Sequence, residues 1–377
     1  MAIITYLTKI QFEAGAIKLV AAELDALDAK VPLIVADKGV VAAGLVERLF
    51  KSGGLPSHLP VFDATPENPT EAATLEALAA FRQSKCDSLV AIGGGSPIDL
   101  AKGVALLANH PDPLAQYAAI LGGLNKITAN QPPVIAIPTT AGTGSEVGRA
   151  ALITLQDGQK LGFISPHLIP KVAICDPELT TGLPPLLTAA TGMDAVTHCI
   201  ETYLSPRFNP PAEAIALDGL RRAMSHLERA VAAGSDVVAR GEMMMAALQG
   251  GLTFQKGLGA VHALSHPLGG LKSVRLHHGT LNSVLLPAVL RFNEKACVDK
   301  YKVLRSVMGL APEADLSFAI AAFSQRLGLP RALSQMGVPK DCFAEIAKNA
   351  VADHSSASNP RAATVADYEA LLRESFD

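Results

Sequence analysis

The sequence predicts two units of different class. Residues 1–180 read as an α/β unit built on a parallel sheet, and residues 181–377 as an all-helical unit. Three observations carry this. Short apolar runs alternate with amphipathic stretches through the first part; around Gly182-Leu183-Pro184-Pro185 the strand-like runs stop, and Ala, Leu and Met recur at helical spacing beyond. The chain has 377 residues, 49% hydrophobic and 18% charged, enough for two sizeable cores.

Taken in order, residues 3–12 alternate apolar and polar side chains as a strand does, and Glu13-Ala14-Gly15 ends them. A helix is predicted over 16–27, a buried strand over 32–37, and a helix over 40–50. Strands over 60–62, 88–92 and 134–137 then frame helices over 71–83 and 97–108. Past the change in texture, helices are predicted over 189–204, 211–232, 237–254, 281–293, 316–327, 341–350 and 365–375. A formal charge of −3 argues against a general nucleic-acid-binding role. No run of eighteen apolar residues occurs, and Met1-Ala2-Ile3-Ile4-Thr5-Tyr6 lacks a basic leader, so a cytoplasmic protein without a membrane segment is expected. Five scattered cysteines without a C-x-x-C pair read as reduced thiols.

Two stretches carry chemistry. Gly93-Gly94-Gly95-Ser96-Pro97-Ile98-Asp99 follows a predicted strand and opens a helix. Ser96 suits the N-cap, Pro97 the first turn, and Asp99 a capping-box position three residues on. Backbone N–H groups at Gly94 and Gly95 with the helix dipole suit a pyrophosphate, although a tight strand-to-helix turn explains the glycines equally well. Asp37, ending the strand over 32–37, is placed either to bind the adenosine ribose hydroxyls, which favours NAD over NADP, or to cap the next helix. The second stretch is rich in imidazole. Asp194 and His198 stand four apart in a helical segment, His262 and His266 repeat the spacing, and His277-His278 follows. One carboxylate with several imidazoles suits iron(II) or zinc and suits magnesium or calcium poorly.

Gly192-Met193-Asp194-Ala195-Val196-Thr197-His198-Cys199-Ile200-Glu201 and Gly257 through Gly269, with its Gly-Ala-Val-His-Ala-Leu-Ser-His-Pro core, resemble the two signatures of the iron-containing alcohol dehydrogenases. The likeness runs over nearly the whole chain. It implies a Rossmann-like nucleotide unit joined to a helical unit, the architecture shared with dehydroquinate synthase, and a homodimer or higher homo-oligomer. It implies NAD as cofactor and one divalent metal on Asp194, His198, His262 and a histidine followed by glycine, which here is His278. The interval before that His-Gly is longer here than the family pattern, and the histidine is doubled. The resemblance also assigns Gly94, Gly95, Ser96 and Asp99, with Asn68, Thr139, Thr140 and Lys160, to the cofactor and His266 to proton transfer on the substrate side; orienting a metal ligand is the other role open to His266.

Phe208 through Ala212, Ala216 through Leu220, Phe254 through Gly259 and Leu276 through Asn282 are similar to family members that act on 4-hydroxybutyrate and succinate semialdehyde. Phe254 is expected to line the substrate, and Arg149 and Lys256 are the cations expected to meet its carboxylate. Two alternatives stand beside this reading. One is a broad primary-alcohol or diol dehydrogenase; the other is a metal-dependent hydrolase or lyase without a nucleotide, against which Asp37 and the Gly93–Asp99 turn argue.

Overall fold

The computed structural model describes residues 4, 6 and 8–377. The described residues cluster into two compact units, one of residues 6, 8–140 and 144–182, the other of residues 4, 141–143 and 183–377. The predicted strand over 3–12 survives as β1 (Lys9–Phe12); residues 3, 5 and 7 of it lie outside the described residues.

The first unit is a six-stranded, all-parallel sheet. Its other strands are β2 (Pro32–Val35), β3 (Val61–Phe62), β4 (Ser88–Gly93), β5 (Val134–Pro138) and β8 (Val172–Cys175), in the order β1-β8-β5-β4-β2-β3. The apolar runs are continuous because the sheet is covered on both faces. Leu33, Val35, Leu89, Ala91, Val134 and Ala136 face one core with α4 (Glu71–Gln83) and α5 (Gly95–Asn109). Ile34, Ala36, Val90, Ile92, Ile135 and Ile137 face the other, with α1 (Val20–Ala26) and α3 (Leu45–Ser52).

Several expectations are corrected here. The helix over 40–50 is two helices, α2 (Lys38–Ala42) and α3, broken where Gly44 takes φ 73°. The helix over 16–27 begins as a 3-10 turn, Ala16–Leu19, before α1. An antiparallel hairpin, β6 (Ala150–Thr154) and β7 (Lys160–Ile164), and the inner strand β8 were not expected.

The helical unit surrounds α6 (Pro185–Leu204), which is buried at every residue from Thr188 to Leu204 and so has no solvent face. It packs against α7 (Pro210–Ala232), α8 (Val237–Leu252) and α10 (His278–Asn293). Glycine makes the close approaches: a Cβ on Gly279 of α10 would overlap the Ala190 carbonyl of α6. The remaining helices are α9 (Ala260–Gly269), α11 (Val298–Val307), α12 (Leu316–Arg326), α13 (Phe343–Ala352) and α14 (Val365–Glu374), of which α11 was not expected. Among the described residues no helix is long and apolar enough to cross a membrane.

Candidate functional site

In the α/β unit, the residues marked for the nucleotide gather at the carboxyl ends of β2, β4 and β5. β4 ends at Gly93, whose φ of 151° favours glycine, and a Cβ there would run into Pro97. That turn starts α5 earlier than expected. Gly94 is the N-cap, no side chain caps the first turn, and its N–H groups are left for another partner. Ser96 is therefore not the cap: its hydroxyl donates to the Glu67 carbonyl. Asp99 lies beyond the first turn and accepts from Ser145 Oγ (2.5 Å) and from the Leu152 backbone N–H (3.0 Å), tying α5 to the hairpin.

Thr139 N–H donates to the Gly93 carbonyl (2.9 Å), and Thr140 Oγ1 lies 3.4 Å from where a Gly94 Cβ would stand. Lys160 Nζ donates to Asn68 Oδ1 (2.8 Å), which brings those two together. Asp37 does cap α2, with Oδ1 accepting from Val40 N–H (2.9 Å); its Oδ2 faces Gly93.

In the helical unit three helices converge. Asp194 and His198 sit one turn apart on α6, His262 on α9, and His278 opens α10. Nε2 of His198, His262 and His278 lies 3.5, 3.8 and 3.7 Å from the same Asp194 Oδ1. The ligand atoms of Asp194, His262 and His278 all lie within 4.8 Å of one another, and His198 Nε2 adds a fourth beside Asp194 Oδ1. His277 is the N-cap of α10, with Thr280 Oγ1 3.4 Å from its Nδ1.

Two acceptors set the ring orientations. His262 Nδ1 donates to Glu201 Oε2 (2.6 Å), and His198 Nδ1 to the Gly142 carbonyl (3.2 Å), which turns both Nε2 atoms to the centre. Glu201 also accepts from Gly259 and Val261 N–H at the start of α9. The Asn282 amide stands among three of the four: Nδ2 donates to Asp194 Oδ1 (2.7 Å) and lies 3.2 Å from Nε2 of His262 and of His278, while its Oδ1 is buried without a partner. An acceptor-rich centre draws in a donor even when the donor's own oxygen is orphaned. A divalent cation meets the same need with charge, and the N3O donor set fits one.

Burial opposes charge throughout this cluster. Against it, the imidazoles of His198, His278 and His262 hold Asp194 well below the usual carboxylate range. At His198 burial prevails and lowers the ring to about 4. At His262 the Asp194 and Glu201 carboxylates outweigh burial and raise it to about 9.

Phe254 packs edge-on against His198, centroids 4.8 Å apart. His266 stacks on His278 (5.7 Å) and donates from Nδ1 to Asp353 Oδ2 (2.9 Å). Lys256 is a correction. Its ammonium, 0% exposed, donates to the carbonyls of Thr202, Tyr203 and Ser205, where α6 ends, and pairs with Glu213 at 2.9 Å. Those terminal carbonyls need a donor, and Lys256 supplies it, so it is not available to a substrate. Arg149 lies in the α/β unit just before β6, its carbonyl accepting from Ser165 N–H.

Residues 8–177 match the family model for iron-containing alcohol dehydrogenase, and residues 188–376 match the C-terminal model of the same family. The chain belongs to the iron-containing alcohol dehydrogenase family. It is 54% identical to the 4-hydroxybutyrate dehydrogenase of Cupriavidus necator, with 100% of each chain covered. It is 37% identical to the 1,3-propanediol dehydrogenase of Klebsiella pneumoniae, over 97% of this chain and 96% of that one. Among solved structures, a 1,3-propanediol oxidoreductase superposes with a TM-score of 0.93 at 36% identity, each chain fully covered. The sulfoacetaldehyde reductase of Bifidobacterium kashiwanohense in complex with NAD+ superposes with a TM-score of 0.89 at 27% identity, over 99% of this chain and 98% of that one. As a family member the chain is an oxidoreductase, which sets aside the hydrolase alternative.

Proposed function

We propose that this alcohol dehydrogenase interconverts 4-hydroxybutyrate and succinate semialdehyde with NAD, using one iron(II) ion held by Asp194, His198, His262 and His278. The observation that carries the reading is the convergence of three Nε2 atoms on one carboxylate oxygen, in a chain 54% identical to a 4-hydroxybutyrate dehydrogenase. When bound, the ion supplies Lewis acidity toward the alcohol or aldehyde oxygen, and NAD supplies the hydride acceptor at its nicotinamide. Glu201 and the Gly142 carbonyl keep the ligand lone pairs turned inward. Phe254 walls the His198 side of the centre against water. His266, its Nδ1 engaged by Asp353, keeps Nε2 for exchanging the hydroxyl proton.

On the nucleotide side, the uncapped α5 N-terminus at Gly94, Gly95 and Ser96 suits the pyrophosphate. Thr139, Thr140, Asn68 and Lys160 line the neighbouring strand ends as further cofactor contacts, and Asp99 holds the hairpin behind them. Asp37 Oδ2 is the oxygen for the ribose hydroxyls. The active form is a cytoplasmic homo-oligomer of two or more chains.

Metal analysis with NADH-coupled reduction of succinate semialdehyde tests the reading. His278→Ala loses bound metal and turnover, whereas His277→Ala keeps both. Loss of metal in His277→Ala alone would move the fourth ligand, and a wild type inactive on succinate semialdehyde but active on 1,3-propanediol would make it a diol dehydrogenase.

A further inference from the structure

We propose that Arg207, with His354 and Ser355 beside it, is the anchor for the carboxylate of the substrate; this rests on the dehydrogenase reading above and names the residues that choose an acid over a neutral alcohol. None of the three was marked by the sequence. From the metal-site ligand His278, the rings of His266 and His354 continue the stack in steps of 5.7 and 5.6 Å. A four-carbon hydroxy acid spans about 6 Å from hydroxyl to carboxylate. With its hydroxyl at the ligand cluster and its chain along His266, it delivers the carboxylate toward His354.

Arg207 lies against the same turn. Gly257, at φ 89°, has no room for a Cβ: one would stand 3.3 Å from Arg207 Nη1 and overlap Ser358 Oγ. Ser358 closes the short 3-10 turn, Ser356–Ser358, that follows His354. Burial lowers the His354 ring below its usual value against the pull of Asp353, and His266, His262 and Arg207 lower it further, so the guanidinium is within electrostatic reach.

Two features point to an anionic ligand here. Arg207 has no ion pair or side-chain hydrogen bond among the described residues, although the chain pairs most of its other arginines. Ser355, only 1% exposed, has a hydroxyl without a partner. Asp353, the one carboxylate in the group, does not compete for Arg207. Its Oδ2 accepts from His266, and its Oδ1 accepts from Ser355 N–H at 2.8 Å. A carboxylate can take a bidentate pair from Arg207 and a third bond from Ser355 Oγ or the half-exposed His354 ring.

The test is kcat/KM for succinate semialdehyde and for butyraldehyde, with NADH, on metal-loaded wild type, Arg207→Met, Arg207→Lys and Ser355→Ala. The read quantity is the acid-to-neutral ratio, which a general loss of fold or metal leaves unmoved. Wild type should favour the acid; Arg207→Met should lower the ratio by about 10–100-fold, mostly through KM for the acid, and Arg207→Lys by less. Ser355→Ala should lower it a few-fold, and the inhibition constant of succinate should rise in step with KM. An Arg207→Met enzyme that keeps the wild-type ratio makes Arg207 a surface arginine only, and overturns the anchor while leaving the substrate reading intact. A wild type that does not distinguish the two aldehydes overturns both.

Discussion

Glu201→Gln isolates what holds the cluster in register. The wild-type carboxylate, 4% exposed, takes three donors: His262 Nδ1 and Gly259 N–H on Oε2, and Val261 N–H on Oε1. Glutamine has the same shape but only one acceptor end. With its oxygen in the Oε2 place it loses Val261; turned over, it loses both His262 and Gly259. At least one buried donor therefore faces an amide NH2, a cost of about 1–3 kcal/mol. For a unit of this size that is roughly 2–12 °C in thermal midpoint. The His262 bond also loses its charge, and substitution of such partners lowers metal affinity by about 10–100-fold. Chelator competition measures the affinity and scanning calorimetry the midpoint. The expected result is weaker iron retention with the helical content unchanged. Wild-type affinity and midpoint in Glu201→Gln would show that the carboxylate neither orients His262 nor caps α9.

Three further outcomes follow from the geometry. Asp37→Ser keeps an α2 cap while removing the charge opposed to a 2′-phosphate, so kcat/KM with NADPH should rise at least about tenfold; no change places Asp37 away from the ribose. Gly279→Ala pushes a methyl into the Ala190 carbonyl and should cost about 1–3 kcal/mol and loosen the metal, read by denaturation and metal analysis; a neutral effect would mean that α10 shifts freely. Burial pushes Glu146 up to about 7, against the pull of Lys102, so between about pH 4.5 and 7 the folded chain binds more protons than the unfolded one. Stability of the α/β unit should fall as pH rises through that window, by roughly 2–4 kcal/mol relative to Glu146→Gln, and parallel pH profiles for the two proteins would contradict it.

The parallel sheet was legible because burial on both faces forces unbroken apolar runs, as at Leu33–Val35 and Leu89–Ile92. β8 is four residues long, and its pairing to β1 joins Lys9 with Val172, a partnership no local pattern announces. The hairpin was more readable than it was read: Asp157-Gly158 sits at its turn, with Gly158 at φ 89°. In the site, spacing revealed Asp194 with His198, and the same face extended three residues would have reached Glu201. Asn282, one turn after His278, carried a similar signal. Lys256 misled because a charged residue beside a ligand segment looks functional, while the helix end it caps belongs to another stretch of chain. Arg207 and Ser355 had no signal, since only the fold brings residue 207 to the turn after His354.

The acceptor that sets His198 comes from Gly142, 56 positions earlier in the chain. There is no space for a larger residue: a Cβ on Gly142 would stand 2.7 Å from the Thr191 carbonyl. A helical half begun at residue 183, as in a split gene or a domain graft, would carry all four proposed ligands yet leave one imidazole free to choose the wrong tautomer. Any transplant of this half needs the Ala141-Gly142-Thr143 turn to travel with it. On the ribosome, likewise, that turn emerges first and waits for α6 to arrive.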